Sequence, residues 1–205
     1  MRNMTIEELY EKLSSKEFQD TEHGDIFYNF YLFQYEASQE YAVRKQIEVF
    51  RANLSRPTNY LDVLAINMFD EFCSFLDSKP FGKLHPSQLY YFIEKDKGGN
   101  HDGVQQSLTA KANSREFCEH IHNKIMEHVN AEGENKKPYV FLYGMGSMFP
   151  YLRTNAFLTQ YEEFNKTSKY KIIVFYPGNS VENSFSLFGS INDQHTYRAI
   201  KLIND

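Results

Sequence analysis

The sequence predicts an α/β fold: a three-layer sandwich with a mostly parallel central sheet, helices on both faces and a C-terminal antiparallel hairpin. Three features carry that prediction. Apolar, β-rich runs alternate with segments of helical periodicity, the order in which crossover helices join parallel strands. The run IFYNFYLFQY, Ile26–Tyr35, is apolar along most of its length rather than alternating, as a strand covered on two sides must be. Near the end, SFSLFG and TYRAIKLI are short β-rich runs joined by the turn-rich SINDQH, which reads as a hairpin.

Each element has its own signal. Thr5 and Glu8 make a capping-box pattern and Ile6, Leu9, Tyr10 and Leu13 share a face, so an amphipathic helix lies within residues 1–20. After the strand Ile26–Tyr35, Ser38 is placed to cap a helix whose buried face carries Val43, Ile47, Phe50 and Leu54. Leu61–Phe69 reads as a second strand, Asp70 as the cap of a short helix over Glu71–Asp77, and Ser87–Lys95 as a third helical piece with Pro86 in its first turn. Lys95–Ser114, rich in Gly, Asn and charge, reads as a mobile loop or insertion. Asn113 and Glu116 frame a further helix with Phe117, Ile121, Ile125 and Val129 as its stripe. The strand Tyr139–Tyr143, a helix near Thr154–Phe164 and the strand Lys171–Tyr176 complete the alternation.

At 205 residues, 41% of them hydrophobic and 24% charged, the chain can bury a core of its own and is read as one α/β domain over residues 1–205. A formal charge of −5 denies it the broad positive field of backbone-led nucleic-acid binding, so direct binding of that kind is not expected. Cys73 and Cys118 lack metal-finger spacing and sit on apolar segments, the pattern of buried thiols in a reducing compartment. No apolar run approaches the ~18 residues of a membrane span, and the cytoplasm is the expected location.

The stretch YVFLYGMGSMFPYLR breaks a strand into Gly144-x-Gly146, where many α/β proteins hold a phosphate. A dinucleotide fingerprint needs a third glycine where Phe149 stands, and a P-loop needs Gly-Lys-Ser/Thr where Phe149, Pro150 and Tyr151 stand. Pro150 also removes a backbone donor and biases Phe149 to an extended conformation. The stretch therefore reads as a structural turn, with a degenerate ligand site as the alternative. Glu36 and Asp70 at strand ends can hold a hard cation if their strands are neighbours, or else serve as charges and caps at helix starts. Cys118, His120, His122 and His128 crowd one helix, but their spacing fits no zinc site. Glu40 and Arg44 make an i,i+4 pair worth roughly 0.2–0.5 kcal/mol on an exposed helix. Arg153 and Arg198 each offer a bidentate fork to a carboxylate or phosphate, or an internal ion pair. No cofactor and no metal are expected.

The order of these pieces resembles the BrxB family of bacterial BREX (bacteriophage exclusion) loci. The match rests on Tyr143, Gly144, Gly146, Phe149, Pro150 and Arg153; on Phe175, Tyr176, Pro177 and Gly178; and on Leu187, Phe188, Gly189, Tyr197 and Arg198. Tyr35, Glu36, Glu40, Val43 and Arg44 meet an N-terminal signature, with Ala37 in place of its proline. After Pro177, Gly178 and Asn179 the family's aromatic-Asp-Gly is replaced by SVENSFS. The resemblance implies a non-catalytic adaptor in a phage-defence assembly, binding a PglZ-like phosphatase-fold protein and other BREX components. Candidate partner- or ligand-binding residues are Glu36, Gly144, Gly146, Pro150, Arg153, Pro177, Gly178, Tyr197 and Arg198. The alternative is a degenerate nucleotide-binding or metal-dependent phosphoryl enzyme using Glu36, Asp70 and Arg153. Self-association is left open.

Overall fold

The structure, a computed structural model, describes residues 4–21, 30–166, 169–181, 184–188, 190–193 and 200–201. Helix α1 (Ile6–Ser14) starts as its capping box requires: Thr5 Oγ1 accepts from the Glu8 amide at 3.2 Å and the Glu8 carboxylate accepts from the Thr5 amide at 2.7 Å. A short α2 (Lys16–Gln19) precedes β1 (Phe30–Tyr35), and residues 22–29, which include the start of the predicted strand at 26–29, lie outside the described residues. A single 3₁₀ turn (Ala37–Gln39) then leads into α3 (Glu40–Leu54). Ser38 is inside that turn and caps nothing; Glu36 and Gln39 close the turn instead.

Strand β2 (Leu64–Asn67) is shorter than its apolar run because Asn67 ends it and caps α4 (Met68–Asp77), accepting from the Phe69 amide at 3.2 Å. Asp70, expected as the cap, sits one turn inside and accepts from Asn67 Nδ2 at 2.6 Å. Ser87, not Pro86, starts α5 (Gln88–Lys97), its hydroxyl accepting from the Tyr90 amide. The segment expected to be a loop, Lys95–Ser114, is mainly helix α6 (His101–Ala112). Only Val104 and Ala112 of α6 are buried, so it carries no apolar stripe for periodicity to find. Ser114 rather than Asn113 caps α7 (Arg115–Asn130), while Asn113 Nδ2 donates to Tyr151 O at 2.9 Å.

Strand β3 (Tyr139–Tyr143), a short α8 (Met145–Met148), α9 (Thr154–Tyr161) and β4 (Lys171–Val181) follow. The chain then forms β5 (Ser184–Leu187), β6 (Ile191–Asp193) and β7 (Ile200–Lys201). The main sheet has the order β2-β3-β4-β1-β7 and every pairing along it is parallel. The antiparallel C-terminal part is present with different partners from those expected: β5 pairs with the far end of β4 and with β6, whereas β7 joins β1 in parallel. The far end of β4 keeps a strand conformation past Tyr176, which gives SFSL a nearer partner than the last run.

The two faces of the sheet bury separate cores. Phe30, Leu32, Ile66, Val140, Leu142, Ile172, Val174 and Tyr176 point to the face covered by α4 to α9, where Phe117 packs edge-on against Phe72 at 5.2 Å. Tyr31, Phe33, Tyr35, Tyr139, Phe141, Ile173 and Phe175 point to the face covered by α1 and α3. There Phe33 and Phe141 flank Phe175 edge-on at 5.7 and 5.4 Å. This division follows from chain direction: α3 carries the chain one way across the sheet, and α4 to α9 carry it back, so right-handed crossovers place them on opposite faces. Lys171, buried at the start of β4, donates through Nζ to Phe18 O and Asp20 O at 2.7 Å each and lies over the Phe18 ring. Burial holds its pKa down against the pull of Asp20.

Candidate functional site: the carboxyl rim of the sheet

In an open parallel sheet the ligand crevice opens where neighbouring connections leave to opposite faces. Here the chain leaves β1 towards α3 on one face and leaves β3 towards α8 on the other, with β4 between them. A polar chain spans that position. Arg44 of α3 donates through Nη2 to Ser147 Oγ of α8 at 3.2 Å and through Nε to Glu40 Oε1 at 2.8 Å. Glu40 in turn accepts from the Tyr35 hydroxyl at the end of β1. Burial pulls the Arg44 pKa down, but the bond to Glu40, with the charges of Glu40 and Asp70, outweighs it and raises the value. Burial, and then Glu40, hold the Tyr35 phenol far above its usual range. The pair expected from its i,i+4 spacing on one helix thus also bridges two layers.

The glycine turn is packed from inside the protein. Gly144 has φ +73, a left-handed conformation, and a Cβ there would overlap Asn67 Oδ1, the cap of α4. At Gly146 a Cβ would lie 2.8 Å from the Phe188 ring and 3.0 Å from Pro177. The Phe188 amide donates to Pro177 O at 2.9 Å, which holds the ring over the turn. Gly178 is buried where β4 meets β5, and a Cβ there would run into the Ser186 carbonyl. Gly144, Gly146, Pro177 and Gly178 are therefore gathered at one rim, joined by Phe188 and Arg44 of the family motifs and by Asn67 and Ser147, which were not among the candidates.

The remaining candidates separate. Phe149 is extended before the exposed Pro150, as the proline requires, and the peptide between them is cis. Arg153 is exposed at the start of α9 with its guanidinium 5.9 Å from the centre of the Phe149 ring. Glu36 follows β1 and Asp70 follows β2, and β3 and β4 stand between those strands, so the condition for a shared cation is not met. Glu36 lines a depression of about 630 Å³ between the start of α1 and α3. Tyr197 and Arg198 lie outside the described residues. On α7, His120 pairs with Glu71 at 2.7 Å, His122 with the Tyr161 hydroxyl at 3.2 Å and His128 with Asp62 O at 3.3 Å. Cys118 faces Gln160, and burial pushes its thiol up to about 11. These four side chains point to four different partners, and among the described residues no group of three or more His, Cys, Asp or Glu is arranged to hold a metal.

The rim residues from Asn67 to Phe188 lie within the segment recognised by comparison with known proteins, and Tyr35, Glu40 and Arg44 precede it. A family model described as "BREX protein BrxB" matches residues 65–202. The chain belongs to the BrxB family. Its likeness to a relative extends further: a protein of Bacillus cereus (strain H3081.97) named "BREX protein BrxB" is 22% identical over 204 residues, 98% of this chain and 97% of that protein. No solved structure matches. As a member of that family, this chain is a component of a BREX, bacteriophage-exclusion, system. Among the described residues no helix is long and apolar enough to cross a membrane.

Proposed function

We propose that this chain serves its BREX system as an interaction component that makes and breaks no bonds of its own, with the PglZ-like protein as its main partner. The observation that carries the reading is the bridge Tyr35–Glu40–Arg44–Ser147 across the switch point. A ligand seated there would have to displace a charge-assisted bond and also find room beside glycines already filled by Asn67 and Phe188. Membership of the BrxB family supports the choice of assembly.

Co-expression of the tagged chain with the PglZ-like protein of the same system tests the reading. The two should co-elute in gel filtration, and ATP, GTP, NAD or Mg²⁺ should leave the melting temperature of the chain unchanged. A nucleotide or ion that raises the melting temperature, together with turnover lost in Arg44→Ala, would show that the rim is an active site instead.

A further inference from the structure

The turn between α4 and α5 holds an apolar cluster away from the rim. Leu84 is 89% exposed at its tip, and Phe81, Tyr90 and Ile93 are 36, 46 and 44% exposed around it. The turn is closed rather than loose. The Gln88 amide donates to Lys79 O at 2.8 Å, Phe81 and His85 form an antiparallel bridge, and Ser87 Oγ donates to Asp77 at 2.7 Å. Phe81 stacks on Tyr91 with ring centres 4.0 Å apart, and the His85 ring lies between Tyr91 and Tyr90 at 5.2 and 6.0 Å. A leucine displayed on so fixed a support adds little to the fold, because its side chain stays in water in the folded chain as in the unfolded one. Its backbone is already held in place for a partner, which lowers the entropy lost on binding.

The charge around the cluster narrows the partner. The turn SKPFGKLHPS carries Lys79, Lys83 and His85 and no carboxylate, in a chain of net charge −5. The acids that follow on α5 are engaged: Glu94 by Lys97 at 3.2 Å and Asp96 by His101 at 2.7 Å. Among the described residues no carboxylate pairs with Lys79, Lys83 or Lys95. We infer that this turn is a docking knob: it inserts Leu84 into an apolar pocket, rimmed by carboxylates, on another protein of the BREX system. The inference rests on the interaction role proposed above and gives it a surface. A two-fold contact of the knob with its own copy would set Lys83 near Lys83, which repels. A nucleic-acid strand would use open ring faces for stacking, whereas the anchors here include aliphatic Leu84 and Ile93, and the Tyr91 ring is already stacked on Phe81.

The test takes the full-length chain with the purified proteins of its BREX system, one at a time, in a binding titration. Leu84→Asp and Lys83→Glu should each weaken the complex at least tenfold and leave the melting temperature within a degree or two. Tyr41→Ser, on α3 across the sheet, should bind as the wild type does. Affinity should fall with added salt, and changing a rim carboxylate of the partner to lysine should restore binding to Lys83→Glu. A complex that forms with wild type and persists unchanged in both knob variants would overturn the knob while leaving the interaction role intact. Failure of wild type to bind any BREX protein would remove that role and the knob with it. Loss in Leu84→Asp of self-association, or of binding to a single-stranded oligonucleotide, in place of a BREX protein would overturn the assigned occupant.

Discussion

Gly144 carries two separate demands, and they can be separated by experiment. Its φ of +73 disfavours any side chain, and the space a Cβ would take belongs to Asn67 Oδ1. Gly144→Ala is therefore expected to lower stability in urea unfolding by about 1–3 kcal/mol. In an Asn67→Ala background the steric part should vanish and the backbone part remain, so the two changes should be less than additive. The Gly-x-Gly pattern itself was readable in the sequence, as was its failure as a phosphate loop. What fills the turn was not, because Asn67 and Phe188 are far from it along the chain and only the folded sheet brings them there. Arg44 shows the same limit: an i,i+4 spacing identifies Glu40, but a contact with Ser147 across 103 positions has no local signal.

Helix α4 is tied to α7 by one carboxylate. Glu71, nearly buried, accepts from Lys124 and pairs with His120 at 2.7 Å. Burial raises its pKa, but the bonds to Lys124 and His120 outweigh that and leave the value lowered. A carboxylate whose folded pKa is lowered lends stability that is complete above its unfolded value, about 4.3, and is lost as pH falls through the folded value. Glu71→Gln should cost about 1–3 kcal/mol at neutral pH, and its stability should fall less steeply than that of the wild type below about pH 4.3. Urea titrations at stepped pH measure both; an unchanged acid slope would mean that the pair does not link the helices. Among the elements, long buried strands were legible because β3 and the first half of β4 are apolar on both faces. Helix α6 was not, since a helix with two buried residues looks like a polar loop.

For the molecule as a whole, the alternation of strands and helices was enough to predict a parallel sheet between two helical layers, but not the order of its strands. Neighbours in the sheet are chosen by packing between distant segments, and one chain pattern is compatible with several orders. The order observed has a bearing on where this protein can be divided. The family match begins at residue 65, yet β1, residues 30–35, is inserted between β4 and β7 and pairs with β4 along its whole length. The stretch that the family model matches is thus not self-sufficient as a folding unit: without the chain's first 60 residues it would present the bare flank of its most central strand to solvent. A truncate beginning at Leu61 should be insoluble or lack a cooperative thermal transition, and co-expression of residues 1–60 as a separate polypeptide should restore both solubility and the transition. A severed chain that reassembles in this way would make the exposed connection at residues 55–60 a natural place to split the protein into two halves that report, by reuniting, on what happens inside the BREX assembly.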